Sequence, residues 1–452
     1  YLACGAILLV FPPALLPLLA AGPPKPHRKP LMEGSSEVNI PPLPSACLDR
    51  AGTSSRKVEG KHGAYTGRDI VPMWIADMDF EAPQPVIEAV VERAKHGIYG
   101  YTDAPSGLSD LAVDRLQTIY QSAEPPQRSW LHWIPGLIGG LHYAVRATCD
   151  DQADRVAVLT PIYPPFLGSV RSNGATLVQV PLREGGATDS SRQIRFVIDW
   201  VLLERELAHP RTRLLHFCNP HNPAGRCWSV EELERVCRMC VANDVSICSD
   251  EVWGEMPLSR VAPFTSLLSF LPHTLDGQPA GVEGLRERLM VLISPSKCFN
   301  VASLDLALAV VPDDTLRRKY RASGADSAEV TPFGYVAAQA AYGHPDSEAW
   351  RQRLISYLQA NRDFAFETLT SARGVRATCP EASYLMWIEV PDLGVPAVEF
   401  FEQHGVGLTG AVDFGGAANC CRLNFACSRA TLKLALDRMI AAISHSRTST
   451  GR

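Results

Sequence analysis

Lysine is scarce in this sequence. Of its 43 basic residues only eight are lysines (Lys25, Lys29, Lys57, Lys61, Lys95, Lys297, Lys319 and Lys433), and Lys297 alone lies between Lys95 and Lys319. Amine chemistry in the middle of the chain therefore has one candidate. An excess of positive charge is missing too. Against 48 acidic residues the net charge is −5, which excludes the basic footprint of a nucleic-acid or anionic-membrane binder. No uninterrupted apolar run reaches the length of a bilayer span. The thirteen cysteines are odd in number and lack the dense spacing of a disulfide scaffold, so a reduced, cytoplasmic setting is expected. Cys237 and Cys240 have CxxC spacing but sit in a helical pattern with no second pair, so they read as buried or half-buried thiols, and no metal site is expected. What remains, 452 residues of which 46% are hydrophobic and 20% charged, is the composition of a globular chain with room for a large core.

Residues 1–22 are apolar enough for a signal core. They lack a starting Met and a basic flank and carry Pro12, Pro13 and Pro17, so they are expected to be an extension or a gene-model artefact, with Met32 as the start. Residues 23–68 are rich in Pro, Ser, Gly and charge and read as a tail and irregular lead-in, with the folded body beginning near Val71. Apolar periodicity then predicts helices over 85–95, 107–121, 138–148, 229–243, 332–342, 347–371 and 429–445. Between them lie short buried-strand runs at 156–160, 175–180, 213–218, 245–249, 289–294 and 306–311. Continuous apolar strands alternating with helices predict an α/β fold, a mostly parallel sheet covered on both faces, whose ligands bind beyond the carboxyl ends of the strands. After Val330 a long helix, strands near 384–390 and 421–427 with a short helix between them, and a final helix predict a smaller α+β unit.

The strand ends carry TPIYPPF (160–166), CNPHNPAG (218–225), SDEVW (249–253) and SPSKCFN (294–300). Taken singly, each has an ordinary reading. Asp250 could cap a turn, Lys297 could be a surface lysine, Asn222 could serve its own Pro-flanked turn, and Tyr163 could simply pack. Four such groups on the carboxyl edge of one sheet are not explained by four separate accidents.

In order along the chain, NPHNPAG, SDE, SPSKCFN and RLNFAC resemble the signature of the class I/II aminotransferase group of pyridoxal 5'-phosphate enzymes, with the fold-type I architecture. The run MWIADMDFEAPQPVIEAV followed by YGYT is similar to the cystathionine beta-lyase-like branch of carbon–sulfur lyases, and the resemblance extends from about Val71 to Arg438. It implies a large cofactor-binding domain over 95–330, a small domain over 331–452 joined by 47–94, and an N-terminal extension over 1–46. It makes Lys297 the Schiff-base lysine, Asp250 the partner of the ring nitrogen, and Tyr163 the aromatic stacked on the ring. Asn222 would meet the ring hydroxyl, with Trp253 beside the cofactor. Ser294 and Ser296, with the backbone around Leu137, Ile138 and Gly139, would hold the phosphate, as free N–H groups at a helix start favour an anion. Tyr101 would reach the phosphate of a neighbouring subunit, implying a homodimer with shared active sites. Arg422, with Ala76 and Asn222, would bind the substrate, a guanidinium fork gripping the α-carboxylate.

The chemistry suits those roles. A buried carboxylate keeps a pyridine nitrogen protonated, and a desolvated lysine loses its proton readily enough to act as nucleophile and base. The reaction expected is α,β-elimination from a cysteine S-conjugate, giving thiol, pyruvate and ammonia, in sulfur-containing secondary metabolism. An aminotransferase is the alternative, and a regulatory or binding protein on the same fold is the second. Three positions depart from the family pattern. Trp253 stands where Tyr or His is usual and cannot titrate. Asp305, eight residues after Lys297, falls where many aminotransferases carry a phosphate-binding Arg, so it either points elsewhere or leaves the phosphate to other donors. Cys298 reads as packing.

Overall fold

The computed structural model describes residue 42 and residues 47–450, except 187, 188, 190 and 276, with side chains up to residue 446. The extension expected over 1–46, including Met32, lies outside the described residues apart from residue 42. All six predicted apolar strands enter one seven-stranded sheet. In chain order its strands are β1 (Leu131–Ile134), β2 (Arg155–Thr160), β3 (Thr176–Pro181), β4 (Thr212–Cys218), β5 (Ser246–Asp250), β6 (Leu289–Ile293) and β7 (Ala307–Val310). Their spatial order is β1-β7-β6-β5-β4-β2-β3. Every neighbouring pair is parallel except the two made by β7, which runs antiparallel to both β6 and β1.

The reason these runs are apolar throughout is visible in the core. Ala157 and Leu159 of β2 face one hydrophobic cluster while Val156 and Val158 face another, and on β6 Val291 and Met290 divide the same way. With both faces covered, neither set of side chains meets water. One covering helix, Leu137–Thr148, lies so close to the sheet that a Cβ on Gly140 would come within 2.9 Å of the Ile134 and Leu292 side chains. That approach places the start of the helix over the carboxyl ends of the strands.

The second sheet is antiparallel, with β8 (Arg376–Ala377), β9 (Leu385–Glu389), β10 (Thr409–Gly410) and β11 (Cys420–Asn424) in the order β8-β9-β11-β10. The helices Pro345–Ser371 and Arg429–Thr450 supply buried residues to the same core. The seven expected helices form, among them Val230–Ala242, which opens on a capping box between Ser229 and Glu232. Cys237 and Cys240 are buried on it, their thiols pushed up by desolvation. No helix among the described residues is long and apolar enough to cross a membrane.

Two expectations need correction. The helices Pro164–Ser172, Trp200–Leu207 and Asp314–Ala322 were not foreseen, because each is short and the last is mostly charged. The described part of the lead-in is packed, and the folded body begins before Val71. A four-residue helix, Arg56–Glu59, carries Lys57, which is 1% exposed and donates to Asp79 Oδ1 at 2.8 Å and to the Asp77 carbonyl at 3.2 Å. Arg50 reaches the same two carboxylates, with its Nη1 3.0 Å from Asp77 and its Nη2 2.8 Å from Asp79. A buried charge is tolerated only when paired, and here two cations meet two carboxylates.

Candidate active site

Asp250 ends β5 and sits in register with Cys218 of β4 and Leu292 of β6, so its carboxylate emerges at the middle of the sheet's carboxyl edge. A cavity of about 340 Å³ opens there. Ala76, Leu137, Ile138, Tyr163, Asn222, Asp250, Trp253, Ser294, Ser296 and Lys297 all border it. Of the other residues singled out in the sequence, Gly139 lies one position further along the helix, Arg422 adjoins the cavity through Asn222, and Tyr101 stands apart. Tyr101 is 93% exposed in a surface groove beside Trp133 and Phe333.

Lys297 follows β6 after a turn made by Ser294, Pro295 and Ser296. Its Nζ donates to the Ala76 carbonyl at 2.9 Å. Burial lowers its pKa to about 8, with Asp77 resisting the fall, Arg422 adding to it and Asp250 resisting it less. The amine is therefore far easier to deprotonate than an ordinary lysine. Asp250 is 5% exposed and its Oδ1 accepts from the Val252 N–H at 3.1 Å. Desolvation raises its pKa to about 6, against the pull of that N–H and of Lys297. Among the described residues no cation lies within ion-pair distance of it, so a bound cation would relieve the cost of its burial.

Arg422 is the opposite case, a buried cation without an anion. Its Nη1 donates to Asn222 Oδ1 at 3.1 Å and its Nη2 to the Trp74 carbonyl at 3.1 Å, while Nε is buried with no partner. The guanidinium lies 4.9 Å from the centre of the Phe414 ring. Desolvation lowers its pKa to about 10. No carboxylate among the described residues pairs with it, which leaves it free for one that arrives from outside.

At the opposite end of the cavity, the helix Leu137–Thr148 starts at Gly136 with no side-chain cap, leaving its first N–H groups for an anion. Ser294 borders the cavity and also shapes the turn that leads to Lys297. Its hydroxyl donates to the Leu306 carbonyl at 2.7 Å and accepts from the Ser296 N–H at 3.0 Å, so it shapes the turn and its only proton is used. Asp305 has a left-handed backbone (φ 51°) and does border the cavity. A carboxylate side chain offers a phosphate no donor when ionised, and the donors beside it are the uncapped helix N–H groups and Ser296. With that adjustment the residues fit pyridoxal phosphate: an amine, a carboxylate without a cation, an aromatic wall and an uncapped helix start converge on one cavity.

The segment from Trp74 to Phe80 is the part of the site that motif reading left unexplained. Beyond Pro72 it joins neither sheet, and its carbonyls are taken up by side chains from distant parts of the chain. Thr409 Oγ1 joins Arg422 at Trp74 O (2.8 Å), Asn424 Nδ2 donates to Ile75 O (2.6 Å) and Asp77 O (2.7 Å), and Asn300 Nδ2 donates to Met78 O (3.1 Å) and Phe80 O (2.8 Å). Tyr384 donates to Ala76 O at 3.1 Å, the acceptor it shares with Lys297, and its ring meets Trp253 edge-on with centroids 4.9 Å apart. Buried backbone groups need partners, and these side chains replace a strand ladder. Asn300 and Asn424 stand inside the SPSKCFN and RLNFAC runs, whose pattern marked them without revealing what they hold. Tyr384 had no local signal beyond its place in an apolar strand run.

The family model for aminotransferase class I and II matches residues 69–439. Cystathionine beta-lyase PatB of Bacillus subtilis is 32% identical over 408 residues, covering 88% of this chain and 98% of that protein. The pyridoxal-phosphate-bound C-S lyase from Staphylococcus hominis superposes with a TM-score of 0.76 at 27% identity, covering 88% of this chain and 97% of that one. The crystal structure of OvoB gives a TM-score of 0.78 at 32% identity, covering 88% and 98% respectively.

Proposed function

Because this chain belongs to the class I and II aminotransferase family, we propose that it is a carbon–sulfur β-lyase that eliminates thiol from cysteine S-conjugates. It is an enzyme, and its cofactor is pyridoxal 5'-phosphate. When bound, that cofactor supplies an aldehyde that joins an amine and a pyridinium ring that draws electrons from the substrate's Cα. Lys297 would be its attachment point, Asp250 the carboxylate that keeps the ring nitrogen protonated, and Tyr163 the ring beside it. Asn222 would orient the ring hydroxyl, and the helix start at Leu137–Gly139 with Ser296 would hold the phosphate.

The observation that carries the substrate class is the unpaired guanidinium of Arg422, fixed by Asn222 and Trp74. An α-carboxylate bound there in a two-point fork would direct the amino acid's Cα toward the Lys297 amine. With a pKa near 8, Lys297 can be neutral at working pH and accept the Cα proton as general base. The electron pair so released breaks the Cβ–S bond. Sulfur departs as thiolate and takes up a proton, and hydrolysis of the remaining fragment gives pyruvate and ammonia. The likeness to two lyases, PatB and the S. hominis enzyme, favours this outcome over amino transfer. We also propose a homodimer in which Tyr101 completes the neighbour's site, in keeping with its exposure.

A panel of S-alkyl cysteines and cystathionine, with the cofactor's absorption followed in parallel, tests the reading. Release of thiol and pyruvate in equal amounts is expected. Conversion of the cofactor to pyridoxamine phosphate without thiol would establish the aminotransferase instead. Borohydride reduction followed by mass mapping should place the cofactor on Lys297, and label on any other lysine refutes that assignment.

A further inference from the structure

A second cavity, of about 390 Å³, adjoins the site through Trp74 and Ile75, the residues just before Ala76. Its other wall is the short helix Arg56–Glu59 and the turn that follows. We infer that this cavity receives the sulfur substituent of the substrate, and that Arg56 and Lys61 select substituents bearing a carboxylate.

Three observations carry the assignment, which rests on the lyase reading above. Trp74 belongs to both places at once. Its carbonyl is fixed by Arg422 at 3.1 Å while the residue also borders the second cavity, its indole Nε1 donating to the Lys57 carbonyl at 2.9 Å. A substrate held by its α-carboxylate on Arg422 thus has the second cavity within reach of its side chain. The charge there is unspent. The Arg56 and Lys61 side chains are exposed and make no hydrogen bond or ion pair among the described residues, and the single carboxylate on that wall, Glu59, does not offset both. Burial raises the pKa of the Tyr163 phenol in the first cavity, and Arg56 is one of the charges near enough to oppose that rise. Finally, the wall is rigid where it needs to be. The neighbouring Lys57 is buried and tied to Asp79 at 2.8 Å, so Arg56 stands on an anchored turn and not on a loose loop. A cation carried on anchored backbone loses less on binding an anion than one carried on a loose loop.

The test compares two nearly isosteric conjugates, S-(2-carboxyethyl)-cysteine and its uncharged amide S-(2-carbamoylethyl)-cysteine, on the complete holoenzyme. Wild type should favour the carboxylate by about tenfold in kcat/KM, the worth of one charge-assisted hydrogen bond. Arg56→Gln should lower the ratio, Arg56→Gln combined with Lys61→Gln should bring it close to one, and Arg56→Lys should retain most of it. Added salt should weaken the preference, because the cations are exposed. A wild-type ratio of one, or a ratio unchanged in Arg56→Gln, overturns the inference while leaving the lyase reading intact. Thiol released from neither conjugate would refute the lyase reading and this inference with it.

Discussion

Asp250 is costly to the protein without its cofactor. Its pKa of about 6 in the folded chain, against 3.8 as the ordinary value, means that between those pH values the native state binds more protons than the unfolded state. Its contribution to stability therefore falls as pH rises through that window, and the whole penalty, on the order of 3 kcal/mol, applies above pH 6. Asp250→Asn removes the charge and keeps the shape. The cofactor-free variant should melt above wild type at pH 7.5 and by a smaller margin at pH 5. A margin independent of pH would mean that the carboxylate is not strained. The same substitution should abolish most activity, since a neutral amide does not hold a ring nitrogen protonated. That Asp250 and Lys297 border one cavity was legible in the sequence because polar residues at the carboxyl end of a buried apolar run are conspicuous. The hydrogen bond from Ser294 to the Leu306 carbonyl was not legible, since where a hydroxyl sends its one proton depends on a residue twelve positions away.

Among the elements, the Trp74–Phe80 segment has the most unusual support. Asn424 is 1% exposed and one amide group of it serves two carbonyls. Asn424→Ala leaves the Ile75 carbonyl with only the Asp77 N–H and the Asp77 carbonyl with only the Lys57 amine, and should destabilise the protein by about 1–3 kcal/mol. It should also weaken pyridoxal phosphate binding, because Ala76 and Trp74 would lose their fixed positions. Urea denaturation and cofactor titration check the two effects, and a stability loss with unchanged cofactor affinity would show that the segment is held without Asn424. Regular elements could be read from the chain for a simple reason. β2 and β6 are buried on both faces and so are written as continuous apolar runs, and the long helices repeat their apolar residues every turn. The lead-in could not be read that way. Lys57 is buried because two carboxylates twenty and twenty-two positions later turn toward it, and no periodicity records such a meeting. β1 was missed likewise, being a four-residue edge with only Ile134 fully buried.

On the scale of the whole molecule, the proposed dimer has a direct test. Ile98, Tyr99 and Tyr101 are all exposed, an apolar surface suited to contact with a second copy. If Tyr101 completes the neighbour's site, Tyr101→Ala and Lys297→Ala should each be impaired alone. Unfolding and refolding the two together should recover roughly a quarter of wild-type activity, since half of the dimers are mixed and each has one intact site. No recovery, with mixed dimers demonstrated by sedimentation or native mass spectrometry, would rule out shared sites.

The side chains that hold the Trp74–Phe80 segment also set when the site can exist. Asn300 lies 222 positions beyond Met78, and Asn424 lies 349 beyond Ile75. A segment with no ladder of its own gains nothing from ordering early, and contacts this distant in sequence form last. A chain emerging from the ribosome can therefore build much of its central sheet long before the segment has anything to bind it. Only after β11 is made do Arg422 and Asn424 close on it, so a nascent chain truncated before that strand has the lysine but not the floor beneath it. Competence for catalysis thus waits on a strand made 349 positions after the segment it fixes.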